Sequence, residues 1–130
     1  PNILMVHLQK IVLNFDTLIV EKISDRFEFP TYLNMENYNI NNIAQKYNID
    51  HPDLQKYADT ENQNFEYRLI GVIIHQGVAE AGHYYSLICT DNKLKDSSDP
   101  NWGNTENLNW TEFNDTSIKS FDFKRNFEDE

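Results

Sequence analysis

Cysteine is nearly absent from this sequence. Cys89 is the only one, which excludes an internal disulfide framework and a multi-thiolate zinc site. Glycine is scarce too, with four residues in all, and none cluster as GxGxxG or GxxxxGK, so no phosphate-cradling loop is written here. Basic residues are few: Lys and Arg total 11 against 21 Asp and Glu, a formal net charge of −10. With no basic run to neutralise phosphates or anionic headgroups, nucleic acid and membrane surfaces are excluded as partners, and a basic partner is favoured. No apolar run approaches the roughly 18 residues of a membrane span, and no charged, apolar, small-residue leader is seen. The expected setting is intracellular, in the cytoplasm, with the nucleus as a second compartment. His7, His51, His75 and His83 show no paired spacing such as HxxxH, so neither a metal site nor a cofactor is expected. Two sequons, at Asn109 and Asn114, matter only in secreted proteins and carry little weight.

What is present fits one domain, or part of one, in 130 residues. Residues 3–13, ILMVHLQKIVL, are β-branched and apolar, and 18–29, LIVEKISDRFEF, alternate in character; the turn chemistry of Asn14-Phe15-Asp16-Thr17 joins them as a hairpin. Pro30 ends or edges the second strand, and Leu33, Met35 and Tyr38 follow in a short irregular segment. Residues 39–64 turn to Asn, Gln, Asp and Lys and read as an insertion, part short helix and part loop. Phe65–His75 and His83–Thr90 form a second hairpin around the seven-residue loop Gln76–Gly82, longer than a tight turn. A polar loop spans 91–107, short strands are expected at 108–114 and 118–123, and the tail 124–130 is acidic.

Two residues invite chemistry. His83 opens a strand directly after Gly82, and an imidazole there is either a satisfied core residue or a base held at the rim of a sheet. Downstream, Trp110-Thr111-Glu112-Phe113-Asn114-Asp115 is a short strand ending in two side-chain acceptors. An Asn or Asp oxygen beside His83 would accept the Nδ1 proton and fix the ring; the alternative is a turn stabilised by side chain to backbone bonds. Cys89 is no partner for His83. Six residues along one strand place their Cα atoms roughly 20 Å apart, so Cys89, between Ile88 and Thr90, reads as a small buried hydrophobe.

In combination these stretches resemble the ubiquitin-specific protease family of papain-like cysteine deubiquitinases. Pro1 to Lys10, PNILMVHLQK, resembles its "LPxxLxxHLKR" segment, and Asp25 to Pro30, DRFEFP, its strand closing on Phe-Pro. Tyr67 to Gly77 with Ala79 to Ser86 resembles the "YxLxGVxxHxGxxxxGHYxx" histidine box, and Trp110 to Asp115 the "WxxFND" box. Four motifs in order make the likeness specific, and the wording AEAGHYYS resembles most the very large, fat-facets-like members.

The resemblance implies an α+β, papain-like cysteine protease fold, represented by its mostly antiparallel β palm and fingers half. Residues 1–123 would be the C-terminal portion of the catalytic domain. It implies that His83 is the general base, Asn114 the orienting residue and Asp115 a supporting acid. Gln76, Gly77, Glu80, Gly82 and Tyr84 would contact the ubiquitin tail, the Gln76–Gly82 loop folding over it where glycines permit close approach to a Gly-Gly backbone. The family's "GNTCYxNS" nucleophile box and its CxxC pairs have no counterpart here, and Gln9-Lys10-Ile11 stands for the more usual Lys-Arg-Phe. The implied activity is thiol-dependent hydrolysis after the C-terminal glycine of ubiquitin. The implied partners are ubiquitin, ubiquitinated proteins and an N-terminal, cysteine-bearing half of the catalytic domain; alone, the chain is expected to be inactive. The alternative is a ubiquitin-binding module without catalysis.

Overall fold

The structure, a computed structural model, describes residues 2–57, 65–91 and 108–122. It is α+β, with eight short strands and one α-helix among the described residues.

The first hairpin forms where the turn chemistry predicts it. Strand β1 (Ile11–Asn14) pairs antiparallel with β2 (Ile19–Lys22), from Ile11 opposite Lys22 to Asn14 opposite Ile19. Asn14 Oδ1 accepts the backbone N–H of Asp16 at 2.9 Å and of Thr17 at 3.3 Å, so the short side chain templates the turn. Both strands are shorter than expected. The ladder ends where the Ile23 N–H donates to the Lys10 carbonyl, and Ile3, Met5 and Val6 are largely exposed. An apolar β-branched run favours extension, but a strand also needs a partner along its whole length.

The segment after Pro30, expected to be irregular, is partly extended and paired. Tyr32–Asn34 is a strand, β3, and it pairs with β4 (Glu66–Arg68). Between them run a 3-10 turn at Glu36–Tyr38, helix α1 (Ile40–Tyr47) and a second 3-10 turn at Pro52–Tyr57, so the short helix expected in the polar stretch is present. Asn39 caps α1 by accepting the Asn42 N–H at 2.9 Å, and Asn48 ends it in a left-handed conformation, φ 53°, a role its side chain tolerates. Residues 58–64 of that stretch, most of the expected 91–107 loop and the acidic tail lie outside the described residues.

The strand expected over 65–75 divides at Leu69-Ile70. Its first part is β4; the second, β5 (Gly71–Gly77), enters a four-stranded antiparallel sheet with β6 (Gly82–Cys89), β7 (Trp110–Asn114) and β8 (Ser117–Phe121), in that order. The division follows from a change of partner: Leu69 N–H bonds Thr31 on the β3 side, while Ile70 receives the Cys89 N–H on the β6 side.

The expected seven-residue loop is also corrected. The β5–β6 ladder continues through Gln76 opposite His83 to Gly77 opposite Gly82, leaving Val78–Ala81 as the turn. Two glycines make that closure fit. Gly77 sits at φ 108°, and a Cβ there would lie 2.7 Å from the Ala81 carbonyl oxygen.

One face of this sheet carries the core. Leu87, Cys89 and Trp110 are buried, with Leu69, Ile74, Tyr85, Leu108 and Phe121 packed against them. Leu87 has no exposed surface, and its burial alone stabilises the fold by about 1.5–3 kcal/mol. Among the described residues, no helix is long and apolar enough to cross a membrane.

Candidate active site

Alternation along β6 sends His83, Tyr85, Leu87 and Cys89 to one face. On β7, Trp110 lies opposite Cys89 and Glu112 opposite Leu87, so Trp110, Glu112 and Asn114 share that face. His83 and Asn114 therefore meet at the edge of the core where β6 begins and β7 ends. His83 Nε2–H donates to Asn114 Oδ1 at 2.6 Å. The ring edge differs from the expectation, which placed the bond at Nδ1. With the proton on Nε2, Nδ1 keeps its lone pair and is the nitrogen able to take a proton.

Asp115 stands farther off. Its Oδ2 is 3.8 Å from His83 Nε2, too long for a hydrogen bond, and its side chain is 77% exposed against 43% for His83. It occupies the left-handed region, φ 51°, as first residue of the two-residue turn between β7 and β8, a conformation Asp tolerates better than most residues. Asn114 Nδ2 in turn donates to Glu112 Oε1 at 3.5 Å.

The remaining candidates divide. Gln76 lies directly opposite His83, and Gly77 opposite Gly82, so both sit one strand away from the imidazole; Glu80 is exposed in the turn that follows. Tyr84 is not brought to His83: it projects from the other face of β6 and lies tilted against His75, ring centroids 4.6 Å and planes 35° apart. Gly82 lies under the His75 ring, where a Cβ would collide with His75 Nε2.

Cys89 is in the core, 8% exposed. Burial pushes its thiol up, and the backbone bond at Asp91 only partly opposes this, so it carries no thiolate near neutrality. Among the described residues, no three His, Cys, Asp or Glu side chains converge as metal ligands.

Sequence reasoning missed Lys22. Its Nζ donates to the carbonyls of His75 and Gly77, each at 2.9 Å, tying the first hairpin to the free edge of β5 beside the site. No local signal marks it, because the contact joins residues more than fifty positions apart.

Across the chain, the family model described as "Ubiquitin carboxyl-terminal hydrolase" matches residues 1–129. The chain belongs to the ubiquitin carboxyl-terminal hydrolase family. Within it, ubiquitin carboxyl-terminal hydrolase 24 of Homo sapiens is 33% identical over 136 aligned residues, covering 94% of this chain and 5% of the relative. Ubiquitin carboxyl-terminal hydrolase 34 of Homo sapiens is 32% identical, covering 94% of this chain and 3% of its own. The probable hydrolase FAF of Drosophila melanogaster is 30% identical over 71% of this chain. The chain thus spans about one-twentieth or less of these relatives' lengths. Among solved structures, the SAGA Ubp8/Sgf11/Sus1/Sgf73 DUB module bound to ubiquitin aldehyde matches with a TM-score of 0.56 at 24% identity, over 92% of this chain and 20% of that one. A second structure of the SAGA Ubp8/Sgf11/Sus1/Sgf73 DUB module gives a TM-score of 0.56 at 22% identity, over 92% of this chain and 19% of that one. These likenesses show the fold.

Proposed function

We propose that this chain supplies the general base and its orienting residue to a ubiquitin-specific cysteine protease, and that residues 1–123 are the C-terminal portion of that catalytic domain, followed by an acidic tail at 124–130. One observation carries the reading: the 2.6 Å bond from His83 Nε2 to Asn114 Oδ1, which places the ring proton on Nε2 and leaves Nδ1 its lone pair. The nucleophilic cysteine comes from the N-terminal half of the domain, because Cys89 is core and protonated.

His83 Nδ1 accepts the cysteine's proton, and the thiolate attacks the carbonyl carbon of ubiquitin's terminal glycine. As the tetrahedral intermediate collapses, the imidazolium returns its proton to the leaving lysine amine, leaving a thioester. Water, activated by the same nitrogen, then releases ubiquitin. Asn114 holds the ring through this cycle, and the distant, exposed Asp115 adds a weaker, screened attraction to the imidazolium. The end of the β5–β6 hairpin, with Gln76, Gly77, Glu80 and Gly82, forms one wall for the ubiquitin tail, and the chain's net charge of −10 complements a basic tail. Ubiquitin and ubiquitinated proteins are the proposed partners, in the cytoplasm and nucleus. A structural neighbour, the SAGA DUB module, is solved bound to ubiquitin aldehyde, which agrees with this class of ligand.

The test is reconstitution. The chain alone releases no fluorophore from ubiquitin carrying a C-terminal fluorogenic amide, and addition of the cysteine-bearing half restores turnover. Turnover by the chain alone that is lost in Cys89→Ala would overturn the assignment, and ubiquitin binding without turnover in the reconstituted pair would make this a recognition module.

A further inference from the structure

We infer that Glu112 is a positioning residue that fixes the direction of the Asn114 amide and, through it, the tautomer of His83; this rests on the proposed role of that histidine. Glu112 and Asn114 are two apart on β7 and project to the same face, so their side chains are neighbours along the strand. Asn114 bonds in two directions at once, Oδ1 to His83 Nε2 at 2.6 Å and Nδ2 to Glu112 Oε1 at 3.5 Å.

An amide has two ends of similar shape and opposite polarity, and the imidazole alone accepts either. Facing Oδ1, it places its proton on Nε2; facing Nδ2, it must place that proton on Nδ1. The second arrangement destroys the base, since Nδ1 would then have no lone pair to offer the thiol. A carboxylate breaks the degeneracy because it only accepts: a flipped amide would set Oδ1 against Glu112 Oε1, oxygen against oxygen. The Glu112 contact is long for a hydrogen bond, and its effect is to select a direction rather than to add much strength. Leu87, directly opposite Glu112 on β6 and fully buried, sets this stretch of β7 at the margin of the core. Lys119, opposite Glu112 on β8, is the facing cation, and Asp115 Oδ2 at 3.8 Å from Nε2 favours the same tautomer from the solvent side.

Tautomer NMR tests this without using turnover, so it stands or falls apart from the hydrolase assignment. In the chain labelled with 15N-histidine, at a pH where the ring is neutral, long-range 15N–1H correlations distinguish protonated from unprotonated ring nitrogens. The wild type is expected to hold the Nε2–H form of His83 by at least about tenfold, a ratio within reach of an ordinary charge-assisted bond. Glu112→Gln keeps the shape but lets either amide end face it, and the ratio falls toward one. Glu112→Lys presents only donors and inverts it, making Nδ1–H the major form. Unchanged Leu87 and Trp110 shifts certify the core in each variant. Dominant Nδ1–H in the wild type, or unaltered Nε2–H dominance in both variants, would overturn the inference. If neither variant retains the core, Glu112→Ala in the complete protease decides it. A fall in kcat of about threefold or more with KM unchanged supports the role, and no change in kcat overturns it.

Discussion

Adding a single methyl group at Gly82 probes the geometry on which the site depends. A Cβ built there meets His75 Nε2 at 1.9 Å, His75 Cε1 at 2.7 Å and the Gln76 carbonyl oxygen at 2.8 Å. Backbone strain is not involved, since Gly77 is the glycine with positive φ among those described. In an uncrowded strand, alanine would stabilise relative to glycine by about 0.5–1 kcal/mol through the unfolded chain, so the clash decides the sign. Displacing the His75 ring forfeits its tilted contact with Tyr84, worth about 0.5–1.5 kcal/mol, and the fixed carbonyl adds an overpacking cost of about 1–3 kcal/mol. Gly82→Ala is therefore expected to destabilise by about 0.5–4 kcal/mol, with the middle of that range at about 2 kcal/mol, a sizeable share of a small domain's stability. Urea unfolding measures this through the midpoint at constant slope. In a His75→Ala background the ring clash disappears while the Gln76 carbonyl remains, and the cost is expected to fall by the worth of the ring contact, about 0.5–1.5 kcal/mol. A change within about 0.5 kcal/mol in the wild-type background, or an undiminished cost without His75, would refute the reasoning.

Asn114→Ala in the complete protease is expected to lower kcat by at least about tenfold with little change in KM, and to exceed the effect of Asp115→Ala, because of the two it is Asn114 that bonds the ring; steady-state kinetics on the fluorogenic substrate compare them. Lys22→Met removes both bonds to the His75 and Gly77 carbonyls and is expected to cost about 1–2 kcal/mol, with faster amide exchange confined to the Gly77–Gly82 end of the hairpin. Cys89 has its folded pKa raised by burial, so above the ordinary thiol range the unfolded chain releases a proton that the native state keeps. Stability falls as pH rises through that window, and the urea midpoint of Cys89→Ala is expected to show less of this decline than the wild type.

Much of this site was legible because composition and motif order are local. Strands are expected at 83–90 and 108–114 from local composition, and the order of the histidine and tryptophan motifs is what implies that His83 and Asn114 act together. Leu69-Ile70, where the expected single strand divides, is as apolar as its flanks, and only the exchange of β3 for β6 as partner breaks it there. Gly77 and Gly82 suggested an open loop because glycine marks turns, yet they face each other across the last rung of the ladder. The choice of Nε2 over Nδ1 depends on which ring edge the Asn114 oxygen reaches, a matter of Ångströms between strands that residue types do not encode.

The role of His83 is tested most directly by its replacement with alanine in the complete, cysteine-bearing protease, measured as fluorophore release from C-terminally derivatised ubiquitin alongside ubiquitin affinity. With Nδ1 as the general base, kcat falls by about 10²–10⁴-fold while affinity is kept; turnover preserved in His83→Ala would contradict that role.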